Sequence, residues 1–142
     1  MVILMKDFRI SAAGIILNQN KVLLVRYKNN DGSSFLVGPG GGAFIEEDLE
    51  ACVRREVFEE TRVNVNPGKI LFIEDLLSSK YRIIKIWFLC SVVDGEIQGT
   101  EEAKTEGIIG ADWFSKDQIL NETVYPCILN TYKKTLSFEI QN

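Results

Sequence analysis

The chain has 142 residues, 46% of them apolar and 25% charged, and a formal net charge of −4; that balance predicts a single folded domain over residues 1–142 and excludes a disordered chain. An acidic chain has no general attraction for nucleic-acid backbones or anionic membranes, so neither is expected as a partner. The sequence contains no histidine, which excludes Ser-His-Asp and Cys-His catalysis and His-ligated zinc and leaves acid–base work to Glu, Asp, Lys, Tyr or a metal-bound water.

In chain order, Phe8 to Leu17 and Val22 to Tyr27 are β-favouring runs separated by Asn18-Gln19-Asn20, which reads as a hairpin. A polar loop from Asn29 to Ser34 leads into a short strand, Phe35 to Val37, stopped by Gly38-Pro39-Gly40-Gly41-Gly42. Asp48 to Thr61 reads as a helix with Asp48 as N-cap and an apolar stripe of Leu49, Cys52, Val53 and Val57. Asn66-Pro67-Gly68 reads as a turn, followed by strands over Lys69 to Leu77 and Tyr81 to Val93. The second is almost continuously apolar from Ile83, as a central buried strand would be. Asp94-Gly95 is a turn and Thr100 to Glu106 a charged loop. Ile108 to Phe114 is the last strand expected. Ser115 to Gln118 has capping-box spacing and predicts a helix, and a further helix is expected from Pro126 to Leu136 with Ile128, Leu129, Tyr132 and Leu136 inward. The order predicts an α/β fold with a mixed sheet sandwiched between helices.

Cys52, Cys90 and Cys127 are odd in number and far apart, so they read as small apolar residues in a reducing compartment. The apolar run Val2 to Met5 is too short for a signal peptide and no stretch has the length of a membrane span, so the expected location is the cytoplasm.

The segment from Gly41 to Val63 carries the chemistry. Glu56, Glu59 and Glu60 are spaced i, i+3 and i+4, so they project from one helix face and repel one another. They also lie towards the negative end of the helix dipole, the wrong end for anions. A hard divalent cation relieves both liabilities, because such ions prefer oxygen ligands. Taken alone, the three carboxylates read more readily as a solvated charged face neutralised by Arg54, Arg55 and Arg62, because such charge runs are common. The three consecutive glycines, taken alone, read as a flexible turn.

In combination, Gly41, Glu47, Arg55, Glu56, Val57, Glu59, Glu60 and Val63 fall in the register of the Nudix box, and the chain resembles that hydrolase family. Chance would give such a match in fewer than about one in a hundred thousand chains of average composition. Gly38-Pro39-Gly40 and Ala111 to Phe114 also resemble the family's layout, but only the box is specific. Arg62 departs from the pattern, standing where the family's box ends on glycine. That glycine ends the helix in a left-handed conformation, which costs a residue with a Cβ about 1 kcal/mol. Softer departures are Glu46, where members often have Gly, and Phe44, where many carry Glu and which is placed to face a substrate.

The resemblance implies a Nudix-type α/β/α sandwich and metal-dependent hydrolysis of the pyrophosphate linkage of a nucleoside diphosphate derivative. It implies Mg²⁺ or Mn²⁺ held by Glu56, Glu59 and Glu60 with a backbone carbonyl at Gly40 or Gly41, and an Arg55–Glu47 bridge that keeps the box in shape. Water would attack phosphorus while the cations polarise the phosphoryl oxygens. Its proton would go to Glu56 or to a glutamate of the later charged loop, Glu101, Glu102 or Glu106, with Glu102 favoured. Substrate contacts are expected from Arg26, Tyr27 and Phe44, with Phe35, Tyr81 and Trp113 as further candidates. The small-molecule substrate stays open among ordinary or oxidised nucleoside triphosphates, ADP-ribose and nucleotide sugars. Family members are often dimers, so a homodimer also stays open. Two rivals remain: a Nudix-fold module that binds a nucleotide without cutting it, and a protein whose metal serves structure alone.

Overall fold

The computed structural model describes residues 7–126. Within them the chain runs β1 (Asp7–Asn18), β2 (Lys21–Lys28), β3 (Ser34–Val37), β4 (Gly40–Gly42), α1 (Leu49–Thr61), β5 (Asn64–Leu77), β6 (Tyr81–Asp94), α2 (Glu101–Thr105), β7 (Ile108–Ser115) and β8 (Val124–Tyr125). The sheet runs β5-β6-β1-β2-β3-β8, with β4 added on β1 and β7 on β2. The β1–β6 and β3–β8 pairs are parallel and the rest antiparallel, so the sheet is mixed and flanked by helices, as the element order predicts.

The β1–β2 hairpin closes through Gln19 and Asn20, both at positive φ (52° and 63°), the conformation that matches strand twist in a two-residue turn. Helix α1 buries Cys52, Val53 and Val57 completely, and these pack on Ala12, Ile16, Leu23 and Phe88 of one sheet face. The opposite face carries Ala13, Ile15, Leu24, Trp87 and Ile119. Adjacent β1 residues such as Ala12 and Ala13 therefore serve different cores, the period-two consequence of a strand covered on both sides. No helix among the described residues is long and apolar enough to cross a membrane.

Four local expectations are corrected. The glycines after β3 do not merely stop a strand: Gly40 to Gly42 form β4 on Ser11 to Ala13. A Cβ at Gly40 would lie 2.4 Å from that of Ala13, so only glycine permits the approach. Asn66-Pro67-Gly68 is not a turn but an irregular part of β5, whose register shifts between Pro67 and Ile70. β5 is an edge strand of this sheet, where proline's missing N–H is tolerated. The charged loop is largely α2, because Thr100 caps it by accepting from the Ala103 N–H at 2.9 Å.

The fourth correction concerns the helix expected after Ser115. Its capping box forms, with the Ser115 N–H donating to Gln118 Oε1 at 2.7 Å and the Gln118 N–H to Ser115 Oγ at 3.3 Å. Residues 116–121 nevertheless make turns. Ile119 is anchored in the core and the Thr123 carbonyl must reach the Leu36 N–H, so too few residues remain to repay helix nucleation. The helix expected from Pro126 to Leu136 lies outside the described residues, apart from Pro126 itself.

Candidate active site

Arg55 organises the start of the site. Its Nε and Nη2 donate to the two Glu47 oxygens at 3.0 and 2.6 Å, and Nη2 also donates to the Gly42 carbonyl at 3.0 Å. Nη1 donates to Glu56 Oε1 at 2.9 Å and to Glu59 Oε2 at 3.3 Å. The guanidinium lies over the Phe44 ring at 3.9 Å. Glu47 in turn accepts from the Phe44 N–H at 3.0 Å, so one arginine joins helix, loop and β4. Its hydrogen bonds hold the Glu47 carboxyl at about 2, well below the usual carboxylate range.

Glu56 and Glu60 project from α1 towards β4, and Glu106 meets them from the end of α2. One oxygen from each lies within 4.8 Å of the others. Glu56 is 5% exposed and Glu60 2%, whereas Glu106 is exposed. Glu60 Oε2 accepts from the Gly40 N–H at 3.0 Å. Glu56 Oε2 and Glu60 Oε1 are buried with no hydrogen-bond donor among the described residues. Burial pushes the Glu60 carboxyl well up, reinforced by the charges of Glu106 and Glu56. Glu56 is raised mainly by burial, against the pull of Arg55.

Three oxygen ligands, two with unfilled buried lone pairs, match what a hard divalent cation needs. Gly41 is part of the same cradle: a Cβ there would lie 2.6 Å from the Glu56 carboxyl carbon. The acidic cluster is therefore able to coordinate a divalent metal ion.

The other candidates fall as follows. Glu59 is outside this group of three, half-buried against Arg55. The Gly41 carbonyl accepts from Cys52 Sγ at 3.5 Å. Glu102 is not the α2 carboxylate that joins the cluster, because Arg62 takes it at 3.2 Å. That capture follows from helix termination. Arg62 keeps the left-handed conformation of the glycine it replaces (φ 67°), and its side chain leaves towards α2 across the Phe58 ring. Glu106 meets Glu56 and Glu60 instead, and the capped α2 that positions it is what a reading of a loop misses.

Arg26 is committed to Glu122, which it holds through both terminal nitrogens at 3.1 and 3.0 Å, and to Ser34 at 2.7 Å. It therefore ties β2 to the segment before β8 and has little left to offer a phosphate. Tyr27 stacks on Phe35 at 5.4 Å, and Phe35 meets Tyr125 edge-on at 5.6 Å. Burial raises the Tyr27 phenol, as do the charges of Glu60, Glu106 and Glu56. Phe44 is 57% exposed, with Arg55 on its face. Tyr81 is also exposed, and Trp113 is partly buried against the core under α1. Beside Glu60 a groove of about 530 Å³ opens, walled by Ile97, Ala103, Ile108 and Ala111 with Lys104 among its lining.

Comparison with known proteins agrees with this geometry. A 97-residue stretch is 32% identical to the ADP-ribose pyrophosphatase of Methanocaldococcus jannaschii; it covers 67% of this chain and 57% of that protein, little more than half its length. The MutT protein of Methanosarcina mazei Go1 superposes with a TM-score of 0.67 at 27% identity, over 98% of this chain and 99% of that one. A NUDIX hydrolase from Nitrosomonas europaea shares the fold, with a TM-score of 0.73 at 22% identity over 91% of this chain and 89% of that one. The NUDIX domain model matches residues 7–134, nearly the whole chain including the acidic cradle, and the chain belongs to that family.

Proposed function

We propose that the protein is a Mg²⁺- or Mn²⁺-dependent hydrolase that cuts the pyrophosphate linkage of a nucleoside diphosphate joined to a second moiety. One observation carries the reading: Glu56 and Glu60, both buried, cluster with Glu106 and each keep an oxygen without a hydrogen-bond partner among the described residues. A purely structural role would favour satisfied or apolar side chains there, because buried charges without partners are costly. ADP-ribose is the first substrate to assay, since the Methanocaldococcus relative bears that name.

Glu56 and Glu60 would hold the metal, with Glu59 released from its long contact to Arg55 as a further ligand. The bound ion would supply Lewis-acid polarisation of the phosphoryl oxygens and neutralise charge as the leaving phosphate departs. Arg55 positions Glu56 by gripping it together with Glu47 and the Gly42 carbonyl. Glu106 is the exposed carboxylate of the group, so it is the one suited to take the proton of the attacking water. The new P–O bond comes from that water, the bridging P–O bond breaks, and two phosphate-bearing products leave.

The test is turnover of ADP-ribose, nucleoside triphosphates and nucleotide sugars with Mg²⁺ and then Mn²⁺, beside EDTA-treated protein and Glu60→Gln. The expected result is hydrolysis of one substrate class that stops with chelator and falls at least about a hundredfold in the variant. Tight nucleotide binding with no turnover by the wild-type protein under either metal would instead support a binding module.

A further inference from the structure

Lys85 interrupts the otherwise apolar run of β6, and its surroundings give that interruption a use. In register it stands beside Ser11 of β1 on one side and Glu74 of β5 on the other. Ser11 is in turn paired with Gly42 of β4. A single row thus crosses the sheet from the glycine strand to its edge: Gly42, Ser11, Lys85, Glu74. The neighbouring row on the same face is Gly40, Ala13, Trp87 and Phe72. This face is opposite the one that α1 covers.

The lysine is half-buried, yet among the described residues it makes no hydrogen bond or ion pair. Its Nζ rests on the Trp87 ring at 4.8 Å. Glu74, its cross-strand neighbour, is diverted: Glu74 Oε1 accepts from the Trp87 indole N–H at 2.7 Å. The Ser11 side chain, 6% exposed, likewise has no hydrogen-bond partner among the described residues. An ammonium and a hydroxyl, adjacent and without hydrogen-bond partners among the described residues, are the complement of an anion with several acceptor oxygens.

Between this pair and the acidic cluster lies β4, which has no side chains. The Cβ position of Gly42 is open, with no atom of the described residues within 4 Å. Glu60 is hydrogen-bonded to Gly40 of the same strand. Burial lowers the Lys85 ammonium from its ordinary value, and the charges of Glu74, Glu60 and Glu56 oppose that shift. In a chain of net charge −4, a lysine with no acidic hydrogen-bond partner among the described residues is the local positive charge that a polyphosphate requires.

We propose that Lys85, with Ser11, binds a phosphoryl group of the substrate across β4 and so orients the pyrophosphate over the Glu56–Glu60–Glu106 cluster. The proposal rests on the hydrolase reading and deepens it, since it says where the anionic part of the substrate lies. Lys85 is a positioning and affinity residue that moves no proton. Its partner is the phosphate common to every candidate substrate, whatever the nucleoside.

The test separates binding from turnover. Affinity for α,β-methylene-ADP, whose P–C–P bridge cannot be hydrolysed, and for inorganic pyrophosphate would be measured by calorimetry with Mg²⁺. The proteins compared are wild type, Lys85→Met, Lys85→Arg and Arg82→Met, the last removing an exposed β6 cation that pairs with Asp75. Loss of one charge-assisted contact predicts binding about tenfold to a hundredfold weaker in Lys85→Met, substantial recovery in Lys85→Arg, and wild-type affinity in Arg82→Met. With a turned-over substrate, KM should rise more than kcat falls. Thermal melting of Lys85→Met and of a second variant, Lys85→Gln, identifies folding failure, and the folded one is used. Affinity within twofold of wild type in that folded variant overturns the proposal, as does an equal loss in Arg82→Met, which would reduce the effect to net charge. Absence of wild-type turnover would sink the hydrolase reading alone, because the binding comparison does not depend on it.

Discussion

Arg62 occupies the helix-ending position in the left-handed region, at φ 67° and ψ 13°, and its N–H still donates to the Phe58 carbonyl. Replacing it by glycine removes a backbone cost of about 1 kcal/mol. The same change deletes the 3.2 Å ion pair to Glu102, whose side chains are 30% and 46% exposed and which is worth about 0.5 kcal/mol. It also deletes the stacking on Phe58 at 5.0 Å, worth about 0.5 kcal/mol. The terms nearly cancel, so Arg62→Gly should change stability by less than about 0.5 kcal/mol. Arg62→Ala loses the same contacts but keeps the Cβ, and should be about 1 kcal/mol less stable than the glycine variant. Urea unfolding reads the contrast directly: at constant slope the alanine midpoint should lie about 0.5 M lower. An alanine variant as stable as the glycine variant would show that the left-handed geometry costs nothing here and would refute the reasoning.

Gly41→Ala places a methyl 2.6 Å from the Glu56 carboxyl carbon, so it should displace that carboxylate without removing it. Calorimetric Mn²⁺ affinity should fall by at least about tenfold; unchanged affinity would mean the cradle is not where the ion sits. Glu47→Gln removes the two charge-assisted bonds to Arg55 and should cost about 2 kcal/mol at pH 7. Because the Glu47 carboxyl titrates at about 2 when folded and at 4.5 otherwise, its contribution is complete above pH 4.5 and is lost as pH falls towards 2. The stability gap between wild type and Glu47→Gln should therefore narrow as pH is lowered below 4.5, and a gap constant from neutral to acid pH would contradict the assignment.

Much of the local structure was legible in the chain. The apolar spacing of Cys52, Val53 and Val57 and the cap at Asp48 place α1 within a residue of its observed start. The hairpin at Gln19-Asn20 and the strands β6 and β7 follow from their own residues. Of the four segments read otherwise, α2 has a local cause in its Thr100 cap, and the other three have their state set by a distant partner. Gly40 to Gly42 become a strand because Ser11 to Ala13 accept them at close range. Pro67 and Gly68 are absorbed into β5 because β6 carries the ladder past them. Residues 116–121 do not wind, because Ile119 and Thr123 are each tied elsewhere.

The acidic site divides in the same way. By itself the sequence determined the carboxylates of α1 and their shared face, because i, i+3 and i+4 spacing is a property of one helix, while the Arg55–Glu47 bridge was implied by the resemblance to the family. Which loop glutamate joins them, Glu106 and not Glu102, was decided only when Arg62 turned its side chain towards α2. That Lys85 has no ion pair among the described residues and lies across a side-chain-free strand from Glu60 depends on the register of four strands from separate parts of the chain. Spacing along one helix is carried by covalent geometry; the meeting of charges from separate elements is carried by packing, and tertiary structure alone decides it.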